Sequence, residues 1–153
     1  MLNPLHLLSF GFGAGLSPRA PGTCGTLIAV PLYIGFEDLP LTWYFLLLLI
    51  AFGVGVIVCE YTSRAMGVHD HPGIVWDEFV GYWITMVGVP PDWLWIFLGF
   101  VLFRTFDIWK PWPVKVADRT LKGGFGIMFD DVLAGIYALI CLHLVIWAIE
   151  TYV

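Results

Sequence analysis

The chain has 153 residues, of which 59% are hydrophobic and only 12% charged, and its net charge is −5. Because soluble domains carry about 25% charged residues, this composition excludes an ordinary soluble domain and predicts one membrane-embedded domain over residues 1–153. The acidic net charge argues against a nucleic-acid-binding surface, as does the lack, outside one short loop, of a basic stripe with interleaved aromatic residues.

The first part of the chain is rich in glycine and proline. These residues predict a short helix over 5–12 and a structured loop over 13–25. The apolar segment 26–36 contains Pro31 and is short for a membrane crossing. The segment 41–59 carries no charged residue and approaches the roughly 20 residues that a crossing needs, so it is the most clearly predicted membrane helix.

The second half is predicted to hold three further helices. The apolar run 79–103 is interrupted by Pro90 and Pro91, which remove two backbone donors and divide the run into two helices joined by a turn. A polar loop follows over 104–129, and the last helix is predicted over 132–149.

Lysine and arginine orient these helices, because cytoplasmic loops carry an excess of basic residues. Most of the basic residues lie in the loop 104–129, and they share a face with Arg64, and with Arg19 if 26–40 crosses once. The pattern predicts an all-α, polytopic membrane protein with four to five membrane-embedded helices, some of them short or tilted. Its N-terminus would lie inside and its C-terminus outside, and its acidic pairs would form one site facing the cytoplasm.

Five acidic residues lie at the ends of apolar segments, where acids repel one another unless a cation holds them. Carboxylate oxygens are the ligands that Mg²⁺ prefers, often together with a substrate phosphate. The predicted metal ligands are Asp77, Glu78, Asp107, Asp130 and Asp131. All of them except Glu78 are also predicted catalytic residues. Capping of a helix N-terminus is the alternative for one acid of each adjacent pair, at Asp77 and Asp130.

Further candidates surround the acids. Lys110 follows Asp107 by three residues, which favours either a simple ion pair on one helical face or a catalytic lysine that binds a phosphate oxygen. The glycine-rich segment 15–26 is either a structural loop or a backbone cradle for an anion. Its candidates for phosphate binding are Ser17, Thr23, Gly25 and Thr26. His69, Asp70 and Arg104 are candidates for supporting roles. For His69, packing within a polar loop is the alternative.

Four strings, in this order, resemble the phosphatidylglycerophosphatase A family: GLSPRAPGTCGTL (15–27), VHDHPGIVWDEFVG (68–81), FRTFDIWKPWPVK (103–115) and GGFGIMFDDVLAG (123–135). The resemblance implies an all-helical, Mg²⁺-dependent lipid phosphatase of the bacterial inner membrane, surrounded by membrane lipids. It would hydrolyse phosphatidylglycerophosphate to phosphatidylglycerol and inorganic phosphate in glycerophospholipid biosynthesis. The family's acidic motif positions fall on the five acids above, and its basic motif position falls on Lys110.

Alternatives remain open for the mechanism and for the function. Phosphate would leave by metal-assisted attack of water, or through an aspartyl-phosphate at Asp130 or Asp131. A membrane cation transporter would also hold acids, although at mid-membrane, and a non-catalytic assembly subunit would tolerate their neutralisation. The sequence specifies no oligomeric state.

Overall fold

A computed structural model describes residues 3–152, and this part of the chain is helical without any strand. The all-α prediction is therefore confirmed. A 3₁₀ segment, Gly11–Leu16, follows the first helix. The α-helices of the described range, numbered in chain order, are α1 (Pro4–Ser9), α2 (Pro21–Ile34), α3 (Leu41–Met66), α4 (Trp76–Thr85), α5 (Trp93–Trp109), α6 (Val114–Thr120) and α7 (Gly123–Tyr152).

Within the described chain, α3 and α7 are the two helices long and apolar enough to cross a membrane, judged by length and composition. They contain 26 and 30 residues, or about 39 and 45 Å of helix against a hydrocarbon core of ~30 Å. Large apolar side chains cover their outer faces, including Leu49, Ile57 and Leu144. Such faces suit contact with lipid.

The short helix α4 lies at the centre of the bundle, and nearly all of its residues are buried. It packs most extensively against α7, and also against α2, α3 and α5. The indole N–H groups of Trp76 and Trp83 donate to the carbonyls of Ala51 and Ala29, both at 3.0 Å, so the buried rings leave no polar atom unpaired. The neighbours of α4 thus hold its acidic first turn inside the bundle.

Helices α4 and α7 cross with their backbones in contact. A side chain at Gly135 would overlap the Gly81 carbonyl, and one at Gly81 would come within 2.9 Å of the Asp131 carbonyl. Each glycine lies one helical turn after an acid, Gly81 after Asp77 and Gly135 after Asp131. The close crossing therefore brings acids from two helices side by side.

The predicted turn between the two middle helices is confirmed. Helix α4 ends at Thr85, and α5 begins at Trp93 after the two prolines. The Asp92 carboxylate accepts the Leu94 amide at 2.8 Å and so caps α5. The helix predicted over 41–59 is also confirmed, as a helix long and apolar enough to cross a membrane, and it continues to Met66.

Several predicted boundaries are wrong. The first helix, predicted over 5–12, ends at Ser9, and the helix predicted to begin at residue 79 begins at Trp76. Helix α2 begins at Pro21, inside the predicted loop 13–25, because proline suits the first position of a helix. Helix α5 continues to Trp109, and α6 and α7 occupy much of the predicted loop 104–129. Helix α7 begins at Gly123 instead of Val132.

The early start of α7 has a packing cause. Glycine weakens an isolated helix by about 1 kcal/mol relative to alanine. The sequence around Gly123, Gly124 and Gly126 therefore predicts a turn. However, a side chain at Gly124 would overlap the Val56 carbonyl of α3. Glycine is therefore required where the backbones of α3 and α7 meet.

Candidate active site

Three buried carboxylates meet where α4 and α7 cross. Asp77 and Glu78 lie in the first turn of α4, and Asp131 lies in the third turn of α7. One oxygen from each of these residues lies within 4.8 Å of the other two. We refer to Asp77, Glu78 and Asp131 as the acid cluster. Each residue is at most 8% exposed.

The acid cluster contains carboxylate oxygens that no protein donor satisfies. Asp77 Oδ1, Glu78 Oε2 and Asp131 Oδ2 are all buried without a hydrogen-bond partner. An unpaired buried carboxylate is costly, and three together also repel one another. A divalent cation with a preference for oxygen ligands would offset both costs. The donor set therefore fits Mg²⁺.

The C-terminal part of α5 places an arginine and a fourth acid beside this cluster. Arg104 Nη1 donates a hydrogen bond to Asp107 Oδ2 and lies 3.7 Å from Glu78 Oε1. Asp107 lies close enough to Glu78 and Asp131 to repel both carboxylates. Arg104 thus balances part of the negative charge at this end of the bundle.

The N-terminus of α2 completes this side of the site. A side chain at Gly22 would overlap Glu78 Oε1 and would approach Arg104 Nη2 to 3.1 Å. The missing side chain lets Glu78 approach the first turn of α2, where free amide groups and the helix dipole favour negative charge. Glycine at position 22 therefore helps to place one member of the acid cluster.

A second charged group, formed by Lys110, Asp118 and Asp130, lies near the acid cluster, where the charge of Asp130 acts on Asp77 and Asp131. Lys110 Nζ donates to Asp118 Oδ1 at 2.6 Å and to Asp130 Oδ2 at 2.8 Å. Burial alone would lower the pKa of Lys110, but the charge of Asp130 and the hydrogen bonds to both carboxylates raise it. Burial alone would raise the pKa of Asp118, but the hydrogen bond and charge of Lys110 lower it. Lys110 and Asp118 are therefore both charged at neutral pH.

The ion pair between Asp107 and Lys110, one of the two alternatives for these residues, does not form. Lys110 caps α5 in the left-handed conformation, with φ of 47°, and so leaves the face of α5 that carries Asp107. Asp107 pairs with Arg104 instead. The adjacent residues Asp130 and Asp131 likewise have different partners, because neighbouring helical positions point about 100° apart.

His69 and Asp70 lie in the loop between α3 and α4. His69 Nε2 accepts the Gly123 amide at 2.8 Å, and Glu60 Oε2 accepts the Gly124 amide at 2.5 Å. These two side chains cap α7. Asp70 lines a polar cleft of about 230 Å³, whose walls are His69, Asp70, Asp118, Gly126, Ile127 and Asp130.

The structure does not bring the phosphate-binding candidates of the glycine-rich segment together at one site. Ser17 donates its hydroxyl to the Arg19 carbonyl at 2.7 Å. Thr26 is fully buried and donates to the Gly22 carbonyl at 3.0 Å, within α2. A side chain at Gly25 would lie 2.7 Å from the Val75 side chain, so this glycine serves helix packing. Thr23 is half-buried in the first turn of α2.

Sequence reasoning missed three residues of this region, namely Gly22, Glu60 and Asp118. Asp118 had a detectable signal, because it is the one acid in the basic stretch 110–122. Gly22 and Glu60 gave no comparable signal, because their roles depend on contacts with distant segments of the chain.

A family model described as phosphatidylglycerophosphatase A matches residues 7–146, which include all four motifs quoted above. The chain belongs to the phosphatidylglycerophosphatase A family. The resemblance drawn from the motifs is confirmed. No solved structure gives a significant match to the chain.

Named relatives cover nearly the whole chain. Phosphatidylglycerophosphatase A of Escherichia coli (strain K12) is 51% identical over 137 residues, which cover 89% of this chain and 80% of that protein. The protein of the same name from Haemophilus influenzae is 48% identical over 152 residues, covering 98% and 91%. A Bacteroides thetaiotaomicron protein, provisionally named a phosphatidylinositol-3-phosphatase, is 39% identical over 150 residues, covering 94% of each chain.

Proposed function

We propose that this protein hydrolyses the terminal phosphate monoester of phosphatidylglycerophosphate, giving phosphatidylglycerol and inorganic phosphate in glycerophospholipid biosynthesis. The observation that carries the proposal is the buried cluster of unpartnered carboxylates at one end of an apolar helix bundle. It occurs in a chain about half identical to two proteins named phosphatidylglycerophosphatase A. Lipid tails would lie along the bundle while the phosphate reaches its charged end.

Mg²⁺ is the proposed cofactor, held by Asp77, Glu78 and Asp131 with Asp107 beside them. The support is the set of buried carboxylate oxygens without protein donors. When bound, Mg²⁺ would polarise the phosphate and favour a hydroxide nucleophile at neutral pH. Direct attack by water is the proposed route, and an aspartyl-phosphate is the alternative.

The proposed phosphate contacts come from the chain's own cations and from one helix terminus. Arg104 lies beside Glu78 and would bind a phosphate oxygen across the acid cluster. Lys110 would bind from the neighbouring charged group that it forms with Asp118 and Asp130. The first turn of α2, which contains Gly22 and Thr23, would add backbone donors. These groups orient the phosphate and offset its charge next to the carboxylates.

The proposed setting is the bacterial inner membrane, crossed by a single domain in five passages formed by α2, α3, α4, α5 and α7. Helices α2 and α4, with 14 and 10 residues, are shorter than the hydrocarbon core and would cross it by burial among the longer helices or by local thinning of the bilayer. Contacts between distant segments support one polar end, because Gly22 meets Glu78 and Gly124 meets Glu60. The same end carries Lys110 and Arg104. By the positive-inside rule this end, with the acid cluster, faces the cytoplasm.

A phosphatidylinositol phosphate is the second candidate substrate. Its support is the provisional name of the Bacteroides thetaiotaomicron relative. Both substrates are lipid phosphate monoesters, so the same acid cluster would serve either. The comparisons give no support to a cation transporter or to a non-catalytic assembly subunit.

A substrate panel tests the assignment. Purified protein in mixed micelles would be given phosphatidylglycerophosphate, phosphatidylinositol 3-phosphate or phosphatidic acid at equal surface concentration, and released phosphate would be measured. We expect the highest kcat/KM for phosphatidylglycerophosphate. Faster release from phosphatidylinositol 3-phosphate would select the second candidate, and release from none would reject both.

A further inference from the structure

The ammonium group of Lys110 is held from two directions. Asp118 of α6 and Asp130 of α7 accept its hydrogen bonds at 2.6 and 2.8 Å. The two carboxylates belong to different helices, so the contacts fix the position of Nζ between them. Asp118 and Asp130 also line the polar cleft of about 230 Å³, so the ammonium is held beside that cleft.

Lys110 needs such anchoring because little else fixes its charge. A lysine carries its charge on a flexible four-carbon stem. With Asp130 alone, the ammonium would collapse onto one carboxylate and neutralise it. Two acceptors leave one of the three ammonium N–H groups for a further acceptor.

A purely stabilising ion pair accounts poorly for Asp118. Its side chain is 33% exposed, so water screens the ion pair and reduces its contribution to stability. The main consequence of the contact is therefore geometric. Asp118 determines where Lys110 presents its remaining N–H.

We propose that Asp118 is a positioning residue that acts through Lys110, holding the ammonium so that its third N–H binds a phosphate oxygen of the substrate. This inference rests on the proposed phosphatase function. Asp118 contacts Lys110 rather than the substrate, and its removal weakens phosphate binding more than it slows turnover.

The test compares Asp118→Asn with a conservative variant and with a matched control. We expect Asp118→Asn to raise KM about tenfold, the loss of roughly one charge-assisted hydrogen bond, with a smaller change in kcat. Asp118→Glu retains the carboxylate and should recover most of the affinity. Asp92→Asn, an exposed acid that caps α5, should leave KM unchanged, because asparagine also caps helices.

A double-mutant cycle separates positioning from general structure. In a Lys110→Ala background, Asp118→Asn should cause no further change in KM, because both changes remove the same interaction. An unchanged KM for Asp118→Asn, or an equal loss with and without Lys110, would overturn the inference.

Phosphate binding supplies a readout that does not depend on turnover. Inorganic phosphate should raise the Tm of the wild-type protein, and Asp118→Asn should reduce that shift. If wild type releases no phosphate from the lipid but shows this difference, the proposed function fails and the positioning role stands. Equal shifts in both proteins, or none in either, would contradict the positioning role.

Discussion

At the scale of single residues, Asp130 and Asp131 are adjacent in the sequence but have different surroundings. Asp130 accepts from Lys110, whereas Asp131 joins the acid cluster with a buried oxygen that lacks a donor. The helix separates them, because successive side chains point about 100° apart. The sequence predicted both as metal ligands. It could not assign them different surroundings, because the start of α7, and so the direction of each side chain, was unknown.

Neutralising one member of the acid cluster should abolish turnover without unfolding the protein. Asp77→Asn or Asp131→Asn keeps the shape of the side chain but removes a cation ligand, so we expect kcat to fall at least ~100-fold, the upper range for loss of a group that merely supports a ligand. Phosphate release and detergent gel filtration would be measured together.

Asp92→Asn is the matched control, because it makes the same change at the tip of the turn before α5, which is not part of the acid cluster. It should leave kcat unchanged. Near-normal rates in both cluster variants would contradict the acid-cluster account.

At the scale of helices, much of the architecture was predictable, and the failures share one cause. The helix over 41–59 and the turn at Pro90 and Pro91 follow from local apolarity and from missing backbone donors. The starts of α2 and α7 could not be predicted from local sequence, because glycine disfavours helix locally. In the folded chain, Gly22 and Gly124 are needed for contacts with Glu78 and Val56.

Enlarging Gly135 should separate α4 from α7. Gly135→Ala places a methyl group against the Gly81 carbonyl, a backbone atom that cannot rotate away. The helices must shift apart, so we expect loss of most activity and a fall of about 1–3 kcal/mol in unfolding free energy. Thermal unfolding would measure the loss of stability, and phosphate release would measure the loss of activity.

Gly53→Ala provides the comparison within α3. No atom lies within 4 Å of the added methyl group, so the better helix propensity of alanine should leave stability unchanged or slightly raised. Equal behaviour of Gly53→Ala and Gly135→Ala would show that the α4–α7 crossing does not depend on glycine.

At the scale of the whole molecule, the charged ends of several helices meet at one end of an apolar bundle. The N-terminal turns of α2 and α4, the C-terminal part of α5 and the start of α7 surround the acids. The sequence predicted this gathering through the distribution of lysine and arginine. It could not predict the capping of α7 by Glu60 and His69, which joins residues more than fifty positions apart.

The five-passage arrangement can be tested by labelling from one side of the membrane. In a background without cysteine, Asp92→Cys and Glu150→Cys should react with an impermeant maleimide applied to intact cells stripped of their outer membrane. Lys122→Cys should react only after permeabilisation. Labelling of positions 92 and 122 from the same side would exclude the proposed topology.

The central claim is that the acid cluster binds a divalent cation that is required for hydrolysis of a lipid phosphate. Its most direct test is phosphate release from phosphatidylglycerophosphate by the purified protein, before and after EDTA. The account predicts that EDTA abolishes release, that Mg²⁺ restores it, and that Asp131→Asn is not restored by the Mg²⁺ concentration that suffices for wild type. Full release in the presence of EDTA would contradict it.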